Sequence, residues 1–97
     1  MRYDIKLAPE AADDLKRLVA HVRARVCDAL EVHLRYEPAK VSQSRIKRLQ
    51  GLRRPQYRLR VDNIRVFYDI SGATVEILAI VDKEHAAEWL TRAGEFS

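Results

Sequence analysis

Arg58, Arg60 and Arg65 are the side chains of this sequence best suited to holding a phosphate or another anion. They lie in the segment QYRLRVDNIRVFYDI, residues 56 to 70, which alternates between apolar and other residues. A guanidinium is planar, permanently charged and able to donate two parallel hydrogen bonds to one anionic group. Three guanidiniums on one surface could therefore clamp an anion and stabilise negative charge that develops on it during a reaction.

The same segment predicts a β-hairpin that would bring these arginines together. Its strict alternation, rich in β-branched and aromatic residues, is typical of half-buried strands. Asp62 and Asn63 tolerate the positive φ that a two-residue turn needs. That turn sets Arg60 directly opposite Arg65, and paired like charges destabilise a sheet by at most about 1 kcal/mol. Two interpretations stay open: a basic face solvated by water, or a face built for an anion from outside the chain.

Positive charge is concentrated around the hairpin. The chain has a net charge of +4, but residues 40 to 65 hold nine basic residues and one acidic residue, a net +8 that leaves −4 for the remainder. This asymmetry favours a polyanionic partner, with nucleic acid the first candidate, and does not separate RNA from DNA or binding from catalysis. Four cations of this stretch are predicted to contact the phosphate backbone in a sequence-independent way: Lys47, Arg48, Arg53 and Arg54.

Residues outside the basic stretch could add proton transfer and further contacts. His85, with an unperturbed pKa near 6.5, suits general acid or base catalysis, whereas arginine keeps its proton at neutral pH. His85 could equally be a surface histidine or a reciprocal cap with Asp82. Lys83 fits a phosphate contact or an ordinary surface lysine. Phe67, on the face of the arginines, could stack on a base or pack beneath a loop or the last helix.

Composition limits the chain to one small domain, residues 1 to 97. Its single cysteine, Cys27, excludes an internal disulfide, and together with three scattered histidines it gives no zinc-ligand spacing. We therefore expect no metal and no cofactor. The N-terminus has no apolar signal region and no run approaches the length of a membrane span, which predicts a cytoplasmic protein without membrane contact.

The pattern before the hairpin predicts the elements that position it. Residues 2 to 7 alternate as a strand with one solvated face. Helical spacing then extends over residues 10 to 37, and one helix of that length would measure about 42 Å, longer than the roughly 32 Å expected across such a domain. We therefore expect the helix to fold back near Ala20 to Val22. Residues 38 to 55 are polar and basic and predict a loop with at most one short turn.

The C-terminal third completes the predicted fold. Residues 74 to 81, TVEILAIV, predict a strand in the doubly covered part of the sheet, and Asp82 suits the N-cap of a helix that ends at Gly94. This order predicts an α+β fold, with an antiparallel-rich four-stranded sheet, an N-terminal helical hairpin packed on it and a short C-terminal helix. The helices are expected on one side of the sheet.

Several stretches, in this order and spacing, resemble RelE/ParE superfamily toxins of type II toxin–antitoxin systems: APEAADDLKRL, RIKRLQGL, YRLRVDNIRVFYDI, and VEILAIV followed by DKEHAAEWL. The resemblance covers almost the whole chain, and the short helical region with KRLQGL favours the RelE branch. It implies a RelE-like fold and a toxin held inactive, in a hetero-oligomeric complex, by an antitoxin encoded nearby. The RelE branch implies messenger-RNA cleavage on the ribosome, and the ParE branch implies poisoning of DNA gyrase.

The resemblance also implies a site. RelE-type toxins place basic residues on this hairpin face to bind and activate the scissile phosphate, and Arg58, Arg60 and Arg65 occupy those positions. The chain departs from the family at Leu90, where relatives often carry a tyrosine. We predict a metal-independent endoribonuclease that uses the RNA 2′-hydroxyl as nucleophile, with His85 as the candidate for proton transfer. Two alternatives stay open: a ParE-like toxin acting on gyrase, and a nucleic-acid-binding module with weak catalysis.

Overall fold

The computed structural model describes residues 1 to 97, which form two sheets and three α-helices. In chain order the elements are β1 (Asp4–Leu7), α1 (Pro9–Arg17), α2 (Ala20–Ala29) with a π-helical turn (Leu30–Leu34), β2 (Ile46–Arg48), β3 (Leu52–Arg54), β4 (Tyr57–Val61), β5 (Ile64–Ser71), β6 (Thr74–Asp82), α3 (Lys83–Ala93) and β7 (Glu95–Phe96).

The main sheet has the strand order β1-β6-β5-β4-β2, and β3 pairs with β7 in a separate two-stranded sheet. Within the main sheet β1 runs parallel to β6, and all other neighbours are antiparallel. The α+β prediction is confirmed, but the prediction of four strands is wrong, because the sheet has five. The additional strand, β2, lies at the edge beyond β4.

The hairpin forms in the predicted register. Val61 pairs with Ile64 and Arg60 with Arg65 across β4 and β5. Asp62 takes a φ of 53° at the first turn position, which an aspartate tolerates better than most residues. The two-residue turn therefore fixes which side chains share a face.

The first helical region folds back as predicted, but slightly earlier in the chain than Ala20. Leu18 and Val19 both adopt extended backbone conformations, with ψ of 143° and 153°, and separate α1 from α2. The Arg23 guanidinium donates a hydrogen bond of 3.0 Å to the Leu18 carbonyl oxygen, which satisfies one carbonyl at the end of α1. No helix is long and apolar enough to cross a membrane.

The two faces of the main sheet carry separate apolar clusters. Residues of α2 and the π-helical turn, Val26, Leu30 and Leu34, are buried in one cluster with Leu59 and Val66 of the hairpin. Tyr68, in the same cluster, is fully buried and donates a hydrogen bond of 2.6 Å from its hydroxyl to the Pro38 carbonyl oxygen. Burial raises the pKa of this phenol well above its ordinary value.

The last helix packs on the opposite face, so the prediction that all helices share one side is wrong. Trp89 of α3 stacks on Phe67 of β5, with ring centroids 5.0 Å apart and planes at 10°, and both pack with Ala79 of β6. The Trp89 indole Nε1 also donates a hydrogen bond of 2.9 Å to Glu10 Oε2, which ties α3 to the start of α1. The helices therefore cover both faces of the sheet.

The stretch predicted as a loop, residues 38 to 55, contains two strands of three residues each. Ile46 of β2 is buried opposite Leu59, which anchors β2 to the hairpin. Leu52 of β3 pairs with Phe96 of β7. Three residues are too few for a recognisable period of two, and the surrounding basic residues conceal the pattern further.

Candidate anion-binding site

Pairing across β2, β4 and β5 places four basic side chains on one surface. Lys47 is directly opposite Arg58, and Arg60 is directly opposite Arg65. Directly paired side chains point to the same face with Cβ atoms about 4.5–5.5 Å apart, and residues two apart along a strand also share a face. We refer to the surface formed by Lys47, Arg58, Arg60 and Arg65 as the arginine face.

Arg58, at the centre of the arginine face, carries the only buried side-chain nitrogen or oxygen in the molecule without a hydrogen-bond partner, its Nε. Desolvation, and then the nearby charges of Arg65 and Arg60, lower the pKa of Arg58 from its ordinary value. Each of these influences opposes the charged guanidinium. An anion bound at the accessible part of the half-buried Arg58 side chain would supply the missing countercharge.

Arg60 and Arg65 contribute differently to this face. Arg65 is only 9% exposed. Its Nη1 donates hydrogen bonds of 2.9 Å and 3.1 Å to the carbonyl oxygens of Asp62 and Ile64, so it also holds the hairpin turn. Arg60 is exposed. Among the arginines of this face, Arg60 is therefore the most accessible to a ligand.

No carboxylate neutralises the arginine face. None of the ion pairs of the molecule involves Lys47, Arg58, Arg60 or Arg65. Other arginines of the chain, such as Arg35 and Arg54, pair with glutamates or aspartates. The absence of paired carboxylates distinguishes this surface from an ordinary solvated face with many salt bridges.

The start of α3 is attached to the same hairpin turn. Asp82, the N-cap residue of α3, pairs with Ile64 across β5 and β6. The backbone nitrogen of Lys83 donates a hydrogen bond of 2.8 Å to the Asn63 carbonyl oxygen. Lys83 and His85, in the first turn of α3, therefore lie at the end of the sheet that carries Arg60 and Arg65.

His85 and Asp82 form a reciprocal pair. Asp82 Oδ1 accepts a hydrogen bond of 3.0 Å from the His85 backbone nitrogen and lies 2.5 Å from His85 Nδ1. The hydrogen bond with Asp82 raises the pKa of His85 above its ordinary value, and the same bond lowers the pKa of Asp82. Because Nδ1 is engaged, Nε2 is the ring nitrogen left for a ligand. The capping interpretation of His85 is confirmed, and it leaves Nε2 available for proton transfer.

Arg48 does not join the arginine face. It pairs with Tyr57, which belongs to the opposite face of the sheet. Its guanidinium lies over the Tyr57 ring, 5.0 Å from the centroid, and Tyr57 in turn stacks on Tyr68. This cation–π geometry gives Arg48 a structural partner.

Arg54 and Arg53 lie on β3, outside the strands that build the arginine face. Arg54 donates hydrogen bonds of 2.7 Å to Asp69 and 3.1 Å to Glu76, and the bond with Asp69 raises its pKa. Arg53 is exposed. The arginine face therefore contains Lys47 from the predicted backbone contacts, and Arg48, Arg53 and Arg54 lie outside it.

Phe67 points to the same face as Arg58 but is covered by Trp89 and only 1% exposed. The prediction that Phe67 stacks on a base is wrong for this conformation, and the alternative of packing beneath the last helix is confirmed. The stacked rings lie beside Arg58 on this face of the sheet, and the paired Arg60 and Arg65 lie between them and the hairpin turn.

Arg45 is a candidate that the sequence did not single out. Its carbonyl oxygen accepts a hydrogen bond of 2.8 Å from the Arg60 backbone nitrogen. Its side chain lines an open cleft of 270 Å³ together with Ser44, Arg60 and Asp62. In the sequence, only the position of Arg45 within the basic stretch indicates a role in the site. The pairing of the segment before β2 with β4 is what brings Arg45 beside Arg60.

The fold is similar to the α+β fold of RelE-like toxins. A chain of the RelBE2 toxin–antitoxin complex of Mycobacterium tuberculosis is similar at 25% identity and a TM-score of 0.66, covering 84% of this chain and 99% of that one. A chain of the RelB–RelE complex of Methanococcus jannaschii gives 21% identity, a TM-score of 0.66 and coverages of 87% and 96%. A chain of the Escherichia coli DinJ–YafQ toxin–antitoxin complex gives 17% identity and a TM-score of 0.63, covering 90% of this chain and 97% of that one. No curated protein sequence matches.

Residues 5–87 match the profile of the ParE toxin of type II toxin–antitoxin systems, parDE. The chain therefore belongs to the ParE toxin family, within the RelE/ParE superfamily of type II toxins. The predicted superfamily is confirmed, although the matching profile is that of ParE.

Proposed function

We propose that this toxin is a ribosome-dependent endoribonuclease that cleaves messenger RNA and so inhibits translation. One observation carries the proposal: the buried, unpartnered Arg58 Nε lies among Arg60, Arg65 and Lys47, with no carboxylate paired to any of them. A surface that brings four cations together without a paired carboxylate suits a phosphate diester of the RNA backbone.

The chemistry requires no metal. The RNA 2′-oxygen attacks the adjacent phosphorus, the bond from phosphorus to the 5′-oxygen breaks, and the products are a 2′,3′-cyclic phosphate and a 5′-hydroxyl. Negative charge grows on the non-bridging oxygens as the phosphorane forms. Arg58 and Arg60 would donate to those oxygens, and Arg65 would hold the turn and add its charge, so each stabilises the transition state more than the ground state.

His85 would act as the general acid in this scheme. The leaving 5′-oxygen needs a proton, and the raised pKa of His85 keeps its imidazole charged to a higher pH than usual. Asp82 fixes the ring through Nδ1, which leaves Nε2 as the donor. Arginine side chains in general are poor proton donors and are unsuited to this role. The ribosome would supply the base and align the messenger.

The partner that controls the toxin is a cognate antitoxin encoded nearby, with which it forms a hetero-oligomer, as the RelBE2 and DinJ–YafQ complexes do. Because messenger RNA and ribosomes are its proposed targets, we place the toxin in the cytoplasm. Lys47 and Lys83, at two margins of the site, would contact RNA phosphates independently of sequence.

A second candidate function is a ParE-like toxin that acts on DNA gyrase without cleaving RNA. The observation that favours it is the match of residues 5–87 to the ParE profile. In that case the arginine face would bind a protein carboxylate or DNA phosphate, and His85 would have no role beyond capping α3.

Primer extension on a reporter messenger after induction separates the two candidates. The proposal predicts new 5′ ends inside the translated region, lost when the start codon is removed, and lost for the soluble variant Arg60→Ala. An intact messenger accompanied by trapped double-strand breaks in DNA would overturn it in favour of gyrase. Arg48→Ala is the matched control, because Arg48 is an arginine of β2 that faces the other way.

A further inference from the structure

A polar cleft lies where the edge strand β2 meets the hairpin turn, with a volume of 270 Å³. None of the residues that line it is apolar: Ser44, Arg45, Arg60 and Asp62. Both arginines are exposed, and neither takes part in any ion pair of the molecule. Asp62 Oδ2 accepts a hydrogen bond of 2.6 Å from Arg25, so the carboxylate in the lining already has its own cation. The cleft therefore presents two guanidiniums without a countercharge.

Backbone pairing fixes Arg45 beside Arg60. The Arg60 backbone nitrogen donates a hydrogen bond of 2.8 Å to the Arg45 carbonyl oxygen, which continues the β2–β4 register by one residue beyond Ile46 and Leu59. Ser42 Oγ accepts hydrogen bonds of 3.1 Å and 3.2 Å from the backbone nitrogens of Arg45 and Ile46, so the segment before β2 is held in place. Directly paired side chains point to the same face. Arg45 thus extends the arginine face to the edge of the sheet.

One line of paired residues crosses the sheet from the start of α3 to this cleft. In spatial order it consists of Val81 of β6, Arg65 of β5, Arg60 of β4 and Arg45. His85 lies at the β6 end of this line, because α3 begins directly after β6. Three strand spacings of about 4.8 Å, roughly 14 Å in all, separate the two ends. His85 and Arg45 therefore lie on opposite sides of Arg60 and Arg65.

The proposed cleavage reaction gives this line a direction. The leaving 5′-oxygen belongs to the nucleotide that follows the scissile phosphate, and His85 is the proposed donor of its proton. The attacking 2′-oxygen belongs to the preceding nucleotide and approaches the phosphorus from the side opposite to the leaving oxygen. With His85 at the β6 end, the preceding nucleotide extends toward β2, and its own 5′-phosphate then lies toward Arg45.

We propose that the cleft between Arg45 and Arg60 is a second phosphate subsite, which binds the phosphate immediately 5′ to the scissile one. The subsite rests on the proposed ribonuclease function, and it gives the RNA a defined polarity across the sheet. A guanidinium can donate two parallel hydrogen bonds to one phosphate, and such a contact is independent of the base sequence. Arg45 touches no reacting atom in this scheme, so it contributes to binding rather than to the chemical step.

The first measurement is binding of the full-length toxin to a 2′-O-methylated RNA strand, which cannot be cleaved, at several salt concentrations. Arg45→Ala should weaken binding about fivefold at about 0.1 M salt and lower the slope of log K against log salt by about 0.7, the share of one phosphate contact. Arg53→Ala is the matched control, because Arg53 is also exposed and outside every ion pair but lies on β3, and it should leave the slope nearly unchanged. With folding verified by circular dichroism, equal slopes for wild type and Arg45→Ala, or equal falls for the two variants, would overturn the subsite.

The second measurement locates the bound phosphate, using messengers on programmed ribosomes in which one phosphate is replaced by an uncharged methylphosphonate. Neutralising the phosphate 5′ to the scissile one should lower kcat/KM about fivefold for wild type, mainly through KM, and by less than about twofold for Arg45→Ala. Neutralising the phosphate 3′ to the scissile one should affect both proteins equally. If Arg45→Ala abolishes the loss at the 3′ position instead, or at neither position, the 5′ assignment is overturned.

Failure of the proposed function has a different signature from failure of the subsite. A messenger left intact by wild type would overturn the ribonuclease and the 5′ assignment with it, whereas phosphate binding in the cleft would still be decided by the salt dependence. Cleavage by wild type with the same KM for Arg45→Ala would overturn the subsite and leave the ribonuclease standing.

Discussion

Arg60 and Arg65 are directly paired across the hairpin, yet one is exposed and the other donates two hydrogen bonds to the backbone of its own turn. The pairing keeps two positive charges together at a position where an ordinary sheet would avoid them. Arg65 stabilises the hairpin turn through these hydrogen bonds, and the exposed side chain of Arg60 remains accessible to a ligand. The two arginines should therefore respond differently to substitution.

Arg60→Ala should lower RNA cleavage by about 10²–10³-fold, the effect of removing one donor to a developing oxyanion, and should leave stability nearly unchanged. Arg65→Ala should lower cleavage too, and should also reduce the free energy of unfolding by about 1–3 kcal/mol, because its hydrogen bonds to Asp62 and Ile64 are lost. Urea denaturation and single-turnover cleavage of both variants check this. Equal stability of the two variants would contradict the structural role of Arg65.

Arg58→Met should remove RNA binding and at the same time preserve or raise thermal stability. The substitution replaces a half-buried guanidinium, whose Nε has no hydrogen-bond partner, by an apolar side chain of similar length, and it relieves repulsion from Arg60 and Arg65. Scanning calorimetry and RNA binding at two salt concentrations measure both effects. Arg48→Met serves as control, and it should keep RNA binding. A large loss of stability in Arg58→Met would show that Arg58 is a structural residue.

His85 predicts a defined pH dependence. Its pKa is raised, so the acid form is present below that pKa, and the cleavage rate should fall as pH rises through a value above 6.5. Asp82→Asn should move the inflection back toward lower pH, and His85→Gln should remove it and slow cleavage about 10²–10⁴-fold. A flat wild-type profile between about pH 5 and 8, with a near-normal rate for His85→Gln, would reduce His85 to a cap.

The same pair should contribute to stability with a definite sign. A raised pKa of His85 in the folded state means that its contribution is full below the pKa of the unfolded chain and is lost as pH rises through the folded pKa. The contribution of Asp82, whose pKa is lowered, is lost instead as pH falls through its folded value. The free energies of unfolding of wild type and His85→Gln should therefore differ most in weakly acidic buffer. Equal values there would contradict a stabilising interaction between His85 and Asp82.

Trp89→Ala should destabilise the domain by about 3–5 kcal/mol, the usual loss for a buried aromatic side chain. It removes the stack on Phe67 and the hydrogen bond to Glu10. Glu10→Gln should have a smaller effect, below about 1.5 kcal/mol, because the amide oxygen can still accept from the indole. Tryptophan fluorescence should show Trp89 shielded from a soluble quencher in wild type. Full quenching in the native state would contradict the position of α3.

The hairpin and the Asp82 cap could be read from the sequence because both are local. Alternation and a two-residue turn fix the register, and Asp82 reaches His85 within one helical turn. The face on which α3 packs could not be read, because an amphipathic helix reveals its apolar side but not which face of the sheet will receive it. The contact of Trp89 with Glu10 joins residues 79 positions apart, and no local pattern encodes it.

The candidate site was only partly predictable for the same reason. Arg58, Arg60 and Arg65 share a face by the period of two, as the alternation requires. Arg48 and Arg54 look equally basic in the sequence, but a one-residue offset turns Arg48 to the other face, and Asp69 and Glu76 engage Arg54. The basic composition therefore indicates which part of the chain carries the arginine face, and strand pairing determines which residues belong to it.

Single-turnover cleavage of messenger RNA on programmed ribosomes tests the central claim most directly. Wild type, Arg60→Ala and Arg48→Ala are compared at equal concentration, without added divalent metal beyond what the ribosome requires. We predict cleavage of the ribosome-bound messenger by wild type and Arg48→Ala, 2′,3′-cyclic phosphate ends, and a rate about 10²–10³-fold lower for Arg60→Ala. Intact messenger with wild-type toxin, or equal rates for the two variants, would contradict the assignment of the arginine face as a ribonuclease site.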